Sequence, residues 1–358
     1  AAGPAQWQGS PFRPDRPFEI GDERVFTGRE REVRDLLTRL EARAPDEPGF
    51  LLLSGPSGAG KTSLLRAGLA ARLTRPFLFE QISTVRCALI DPLADGPTPI
   101  AALATRLCSP DVLGDPLAEF GLGATELERL LTTEPAVAGR QLASALAQLA
   151  KGNDSGAAAR LAVIVDPLEG ALDAHGEPQL TAFAHALRRL ADNPVIWIMI
   201  AVRSDALYRL AQVPALSEVL TAERWTELEP PATERIRQVV EIPARIAGIE
   251  IESADDAQGR GLLEQIEAEA SRLRLWAPPV QGVLDAAYQD ARQAATQPRP
   301  DRSADSAADD RRTGDLRLSA EHFQRQGGLG GHMLSRADAL WAELDDAARA
   351  ALPRLCRA

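Results

Sequence analysis

The sequence predicts an α/β fold, a parallel sheet covered by helices on both faces, and three observations predict it. Apolar runs of strand length, among them Phe50–Ser54, Leu161–Val165 and Val195–Val202, alternate with amphipathic helical stretches. That alternation is how a parallel sheet is buried on both sides. The first run breaks into a glycine loop that opens a helix, and the polar residues Lys61, Asp166 and Arg203 each stand just past the end of such a run. In open α/β sheets that edge is where ligands bind.

The elements follow in order. Residues 1–20 carry Pro4, Pro11, Pro14 and Pro17 among glycines and read as an extended lead-in or linker. A helix is expected over Arg29–Arg43, where Val33, Leu36, Leu37 and Leu40 fall on one face. Phe50–Ser54 is a buried strand and Lys61–Leu73 the helix after the glycine loop. Thr84–Ile90, Leu161–Val165 and Val195–Val202 are the other strands, ending at Asp91-Pro92, Asp166 and Arg203. Helices are expected between them at Pro99–Leu107, Thr125–Leu131, Gly139–Leu149 and Pro178–Leu190. After Trp225–Pro231 the texture turns helical, with helices over Thr233–Ala247, Gly261–Leu275 and Val280–Ala295. Gln297–Gly314 is polar and charged and is expected to be a disordered loop. Helical order resumes over Leu316–Ala358, and Trp225 and Trp276 are expected in the core. The resulting domains are a core at 21–231, a helical domain at 232–296, the loop at 297–314 and a further region at 315–358.

Composition narrows the function classes. The chain has 358 residues, 45 % of them hydrophobic and 25 % charged, enough apolar side chains for more than one globular core. A net charge of −11 argues against a broad nucleic-acid surface. Cys87, Cys108 and Cys356 are three in number and far apart, which argues against a disulfide framework or a cysteine metal site and for the cytoplasm. His175, His185, His322 and His332 have no metal-ligand spacing. The longest apolar stretch, Val195–Val202, falls far short of the ~20 residues a membrane helix needs. A chain that begins at Ala1 and ends in an unfinished helical pattern is expected to be a piece of a longer protein.

The chemistry is concentrated in FLLLSGPSGAGKTSLL, where Gly55, Gly60, Lys61 and Thr62 fit the phosphate-loop pattern GxxxxGK[ST] without a mismatch. Small residues let backbone N–H groups curl around a phosphate, and the positive end of the following helix faces the anion. The nucleotide-binding candidates are therefore Gly55, Ser57, Gly58, Ala59, Gly60, Lys61, Thr62 and Ser63. Lys61 would reach the β- and γ-phosphates, and the Thr62 hydroxyl would ligate Mg2+. Asp166, at the end of LAVIVDPLEG, is the candidate second Mg2+ residue, and a capping or turn role is the alternative. Glu169 is the candidate water-positioning carboxylate, or else a solvated loop residue. Arg203 would sense the γ-phosphate, or would pair with Asp205 or Asp166.

These motifs, taken with the segment Phe26-Thr27-Gly28-Arg29-Glu30 before the phosphate loop, resemble the STAND ATPases, signal-transduction ATPases with numerous domains. The blocks SPFRPDRPFEIGDERVFTGRE, LSGPSGAGKTSLLRAGL, VDPLEG, AVRSDALYRL, ELEPPATERIRQVVEIPARIAGI and GGLGGHMLSRADALWAEL are similar to the prokaryotic novel STAND branch in the same order. The resemblance implies a P-loop NTPase core, a helical lid and the start of a winged-helix domain. It implies a bacterial signalling switch that binds ATP or ADP with Mg2+, hydrolyses slowly, and forms a homo-oligomer on activation, in antiviral defence or regulation. An effector domain would precede this chain and a sensor domain would follow it. By the same resemblance Phe26, Gly28 and Arg29 join the nucleotide-binding set, with Phe26 and Arg29 on the base or ribose side. One departure stands out. The branch usually carries Asp-Gln-(Phe/Leu)-Glu-Glu at the second acidic motif, whereas this chain ends that motif in Gly170. The proline motif of the helical domain has Pro278 and Pro279 as its nearest candidates.

Two other classes remain. In one the chain is a catalytically degenerate scaffold with ADP bound as a structural element. In the other it is a DNA-handling ATPase of initiator or loader type, which the acidic charge disfavours. A GTPase lacks support, since no NKxD motif occurs, and so does a transporter ATPase, since no LSGGQ motif occurs.

Overall fold

The computed structural model describes residues 7–42, 49–76, 78–151, 158–217, 224–231, 235–252, 261–273, 277–296 and 316–355. The polar segment 297–314, Trp276 and Cys356 lie outside the described residues. The chain divides into two compact units, Pro17–Pro230 and Ala1–Arg16 with Pro231–Ala358.

The first unit begins with α1 (Glu30–Glu41), whose face of Val33, Leu36 and Leu40 is buried. The strands are β1 (Phe50–Gly55), β2 (Ile82–Ile90), β3 (Ala158–Val165), β4 (Ile196–Arg203) and β5 (Trp225–Glu227). They form one sheet in the order β2-β3-β4-β1-β5, and every pairing is parallel. Alternation along each strand divides the core in two. Phe50 and Leu52 of β1, with Ile196, Ile198 and Ile200 of β4, pack into one apolar cluster. Leu51 and Leu53, with Trp197 and Met199, pack into the other. Strands buried on both faces need helices on both sides, and the expected α/β fold is what the structure has.

The helix after β1 is continuous in direction but not in type. Lys61–Ser63 (α2) is α-helical, Leu64–Ala70 is a π-helical segment, and Ala71–Leu73 (α3) returns to α. Helices α4 (Pro99–Leu107), α5 (Gly114–Glu119), α6 (Ala124–Thr133), α7 (Pro135–Lys151), α8 (Glu169–Ala174) and α9 (Glu177–Ala191) follow. Helix α4 starts where the sequence puts it, because Thr98 caps it by accepting from Ala101 N at 3.1 Å and Pro99 supplies no donor to lose. Beyond β4 come the short α10 (Leu207–Leu210) and α11 (Pro214–Ser217).

Strand β5 and Trp225 depart from expectation. β5 is three residues long and too short to show alternation in sequence. Trp225, expected in the core, is 41 % exposed, because β5 is the sheet's edge; its indole Nε1 donates to Ser54 Oγ at 2.7 Å.

The second unit contains α12 (Ile236–Ile246), β6 (Glu250–Ile251), α13 (Leu262–Leu273), α14 (Ala277–Thr296), β7 (Arg317–Leu318), α15 (Ala320–Arg325), α16 (Gly328–Glu343) and α17 (Asp346–Leu355). Pro278 and Pro279 stand in the first turn of α14, where proline costs no hydrogen bond. Two sequence-level boundaries shift here. The expected lead-in is divided between the units, and Phe12, 1 % exposed, is part of the second unit's apolar core with Val240, Ile266 and Leu284. Arg13 N donates to Gln281 Oε1 at 3.0 Å. The regions expected at 232–296 and 315–358 share that core, since Leu318, Phe323 and Leu329 pack into it and β6 pairs with β7.

Candidate functional site

The candidate site is built where β1, β3 and β4 end. Their register is fixed by parallel pairing, which sets Gly55 beside Arg203 and Val165 beside Ile200. Gly55 must be glycine, because a Cβ there would meet Leu228 O at 2.6 Å. Gly58 and Gly60 have φ of 76° and 90°, the left-handed region that turns the loop into the helix at Lys61. Ser57 and Gly58 are exposed, whereas Ala59 is buried.

Lys61 is buried and bends back on the loop, its Nζ donating to Gly55 O at 2.8 Å and to Pro56 O at 3.1 Å. Burial pushes its ammonium below the ordinary value, while Glu169 and Asp166 push the other way. Thr62 Oγ1 donates to Asp166 Oδ1 at 3.1 Å. Asp166 is 2 % exposed, and its Oδ2 is a buried acceptor without a hydrogen bond. Burial pushes its pKa up to about 6, against the opposing charge of Arg66 and the Thr62 hydrogen bond.

A hydroxyl and a buried carboxylate in contact are the hard oxygen donors that Mg2+ takes. Among the described residues no group of three or more His, Cys, Asp or Glu could hold a metal unaided. Mg2+ is commonly held by one or two protein oxygens together with water and phosphate. The residues present fit the ion.

Glu169 opens α8, and its Oε2 accepts from Arg203 N at 3.2 Å, linking the ends of β3 and β4. The Arg203 guanidinium forks onto Asp205, Nε at 3.0 Å and Nη2 at 2.6 Å, and this hydrogen bond lowers the Asp205 pKa. Of the partners weighed from sequence, Asp205 is the one it holds. Gly170 faces Leu93, whose Cδ2 lies 3.1 Å from where a Cβ would stand.

The upstream segment lies against the same loop. Gly28 has a φ of 83°, and its N donates to Glu30 Oε1 at 3.0 Å. Arg29 is buried and fastens three pieces of chain, donating from Nη1 to Glu32 and from Nη2 to Ala59 O and Glu229 O, each at 2.8 Å. The Phe26 ring packs on Phe18 at 5.6 Å between centroids and against Gly68. Ser63 Oγ accepts from Phe18 N at 3.1 Å.

Lys61, Thr62, Asp166, Glu169 and Arg203 thus converge from three strand ends, with Phe26, Gly28 and Arg29 behind the loop. Sequence reasoning missed Arg66, whose Nε lies 3.7 Å from Asp166 Oδ2 and whose Nη1 donates to Glu19 Oε1 at 2.8 Å. Its spacing of four from Thr62 on a helix was the available signal.

Residues 11–358 match the family described as Novel STAND NTPase 1. No curated protein matches the chain in sequence. Among solved structures, the chain is similar to the Aeropyrum pernix ORC1 protein in complex with DNA, at 16 % identity and a TM-score of 0.53, over 92 % of this chain and 72 % of that one. It is also similar to the Aeropyrum pernix ORC2 protein in ADPNP-ADP complexes, at 16 % identity and a TM-score of 0.51, over 84 % of this chain and 71 % of that one. At this identity the likeness is one of fold, a nucleotide-binding α/β sheet of P-loop NTPase type.

Proposed function

The chain belongs to the Novel STAND NTPase 1 family, and from that premise we propose that it is a nucleotide-dependent signalling switch that binds ATP or ADP with Mg2+ and hydrolyses ATP slowly. The observation that carries this reading is the Thr62–Asp166 contact at the mouth of an intact phosphate loop, with Lys61 buried beside it. Gly55–Gly60 and Lys61 bind the phosphates, and Thr62 and Asp166 hold Mg2+. The ion neutralises charge on the phosphate oxygens. Glu169 orients the attacking water, and Arg203 leaves Asp205 to meet a γ-phosphate. Phe26 and Arg29 border the base and ribose side.

Nucleotide state would then set whether the chain assembles into a homo-oligomer and activates a linked effector, in defence or regulation. A γ-phosphate shifts that equilibrium only by as much as it is held better in one state, so a cation such as Arg203 that changes partners is the natural lever.

The test is the nucleotide released on denaturing the purified chain, beside Lys61→Ala. The expected result is near-stoichiometric ADP or ATP from the parent and little from the variant. A parent that carries none and takes up no added ATP with Mg2+ overturns the switch.

A second reading, the scaffold with ADP as a structural element, is favoured by Gly170, where the family pattern has a carboxylate. Tight ADP with no phosphate release from ATP would select it. The initiator-type reading draws on the ORC1 neighbour solved on DNA, and salt-sensitive DNA binding by a chain of net charge −11 would select it instead.

A further inference from the structure

Arg66 lies outside the phosphate-loop pattern, yet it is the cation closest to the Asp166 carboxylate. Asp166 uses Oδ1 to accept from Thr62, while Oδ2 faces Arg66 Nε across 3.7 Å. That distance is an ion pair without a hydrogen bond. Both atoms are buried, and neither has another hydrogen-bond partner among the described residues. Lys61, the other cation of the loop, gives two of its three donors to Gly55 O and Pro56 O. The far edge of the guanidinium is fastened as well, with Nη1 donating to Glu19 Oε1 at 2.8 Å. Glu19 is itself fixed, because its backbone N donates to the buried Asp22 at 3.0 Å. One guanidinium therefore spans two carboxylates, one belonging to the segment before α1 and one to the end of β3. It stands on the π-helical segment, and insertions of this type in α-helices are frequent at functional sites.

We infer that Arg66 is a positioning residue for the magnesium-side carboxylate: it holds Asp166 from behind through Oδ2, so that Oδ1 is presented toward Thr62, and ties that carboxylate to Glu19. This rests on the nucleotide and Mg2+ reading of the site. Residues that orient a metal's ligands typically carry 10- to 100-fold in metal affinity. The effect should therefore appear in the part of nucleotide affinity that depends on Mg2+.

The experiment measures ADP affinity of the whole chain by calorimetry, once with excess Mg2+ and once with EDTA, and takes the ratio of the dissociation constant in EDTA to that in Mg2+. Arg66→Met is expected to lower that ratio about tenfold while the EDTA value stays close to the parent's. Arg66→Lys keeps the charge and is expected to recover most of the ratio. Glu19→Gln frees one end only and should lower it less than Arg66→Met. An unchanged ratio in Arg66→Met overturns the inference. So does a raised ratio, which would make Arg66 a competitor of the ion, and so does an equal loss in both conditions, which would make it merely structural. Should Arg66→Met fail to fold, Arg66→Lys and Glu19→Gln decide: parental ratios in both overturn the inference, and graded losses support it. A parent that binds no nucleotide in either condition overturns the functional reading itself, and the two failures are thereby told apart.

Discussion

Asp166 shows how one side chain can make a binding site depend on pH. Its carboxyl titrates at about 6 because burial disfavours the anion, above the ordinary 3.8. The folded chain thus holds the proton more tightly than the unfolded chain. That preference favours folding below the ordinary value and is lost as pH rises through about 6. Mg2+ needs the anion, so the dependence on pH for binding runs the other way. Between pH 7 and pH 5 the Mg2+-dependent part of ADP affinity should fall about tenfold, the change in ionised fraction for a group titrating near 6. Asp166→Asn should flatten that profile, as calorimetry across the range would register. At Gly170 the space for a side chain borders Leu93, which is half exposed and free to give way. Gly170→Glu should therefore fold, and should raise phosphate release from ATP above the parent if a second carboxylate is what the site lacks. At this scale the sequence was most legible where chemistry demands a pattern. Spacing and strand ends single out Lys61, Thr62, Asp166, Glu169 and Arg203 as candidates, and the fold brings them to one sheet edge. Arg66 is not singled out, since nothing in a linear pattern says that a helix surface residue faces a buried acid 100 positions away.

At the scale of elements, the strands and most helices were legible because both obey simple periods. Strands buried on both faces read as apolar runs, and Thr98-Pro99 announces its helix. The π-helical segment Leu64–Ala70 was illegible, as it shares the composition of an ordinary helix. Its packing has a clear requirement at Gly68, where a Cβ would stand 2.7 Å from Val33 Cγ2 and 3.0 Å from Phe26 Cε1. Gly68→Ala should cost about 1–3 kcal/mol in denaturant unfolding, the usual range for overpacking. It should also weaken nucleotide binding, because Phe26 and α1 are what would move. β5 escaped notice for a different reason: three residues carry no period, and its place in the sheet is set by Leu228 N donating to Ser54 O at 2.7 Å.

At the scale of the molecule, two compact units, each with its own buried apolar residues, imply two cooperative transitions. Phe12 lies nine residues before Gly21 in sequence yet contributes to the core formed by residues after Pro231. A proline-rich start invites the reading of a linker, and only the tertiary contacts reveal a buried anchor. Phe12→Ala should cost about 3–5 kcal/mol, the range for a large buried aromatic. In scanning calorimetry it should lower one transition and leave the other. Added ADP with Mg2+ should raise the transition that Phe12→Ala leaves in place, since a ligand stabilises the unit that binds it.

The division of the lead-in has a mechanical outcome. The chain passes between its two units twice, at Arg16–Pro17 and at Pro230–Pro231. The first passage is pinned on both sides, by Arg13 N on Gln281 and Phe18 N on Ser63. Beside the second, Glu229 offers its carbonyl to Arg29 within one unit, and Ile236 is buried in the core of the other. Each unit therefore carries its own anchors beside the crossings, so a strain that frees Arg13 from Gln281 is borne within one unit and a strain that frees Glu229 from Arg29 is borne within the other.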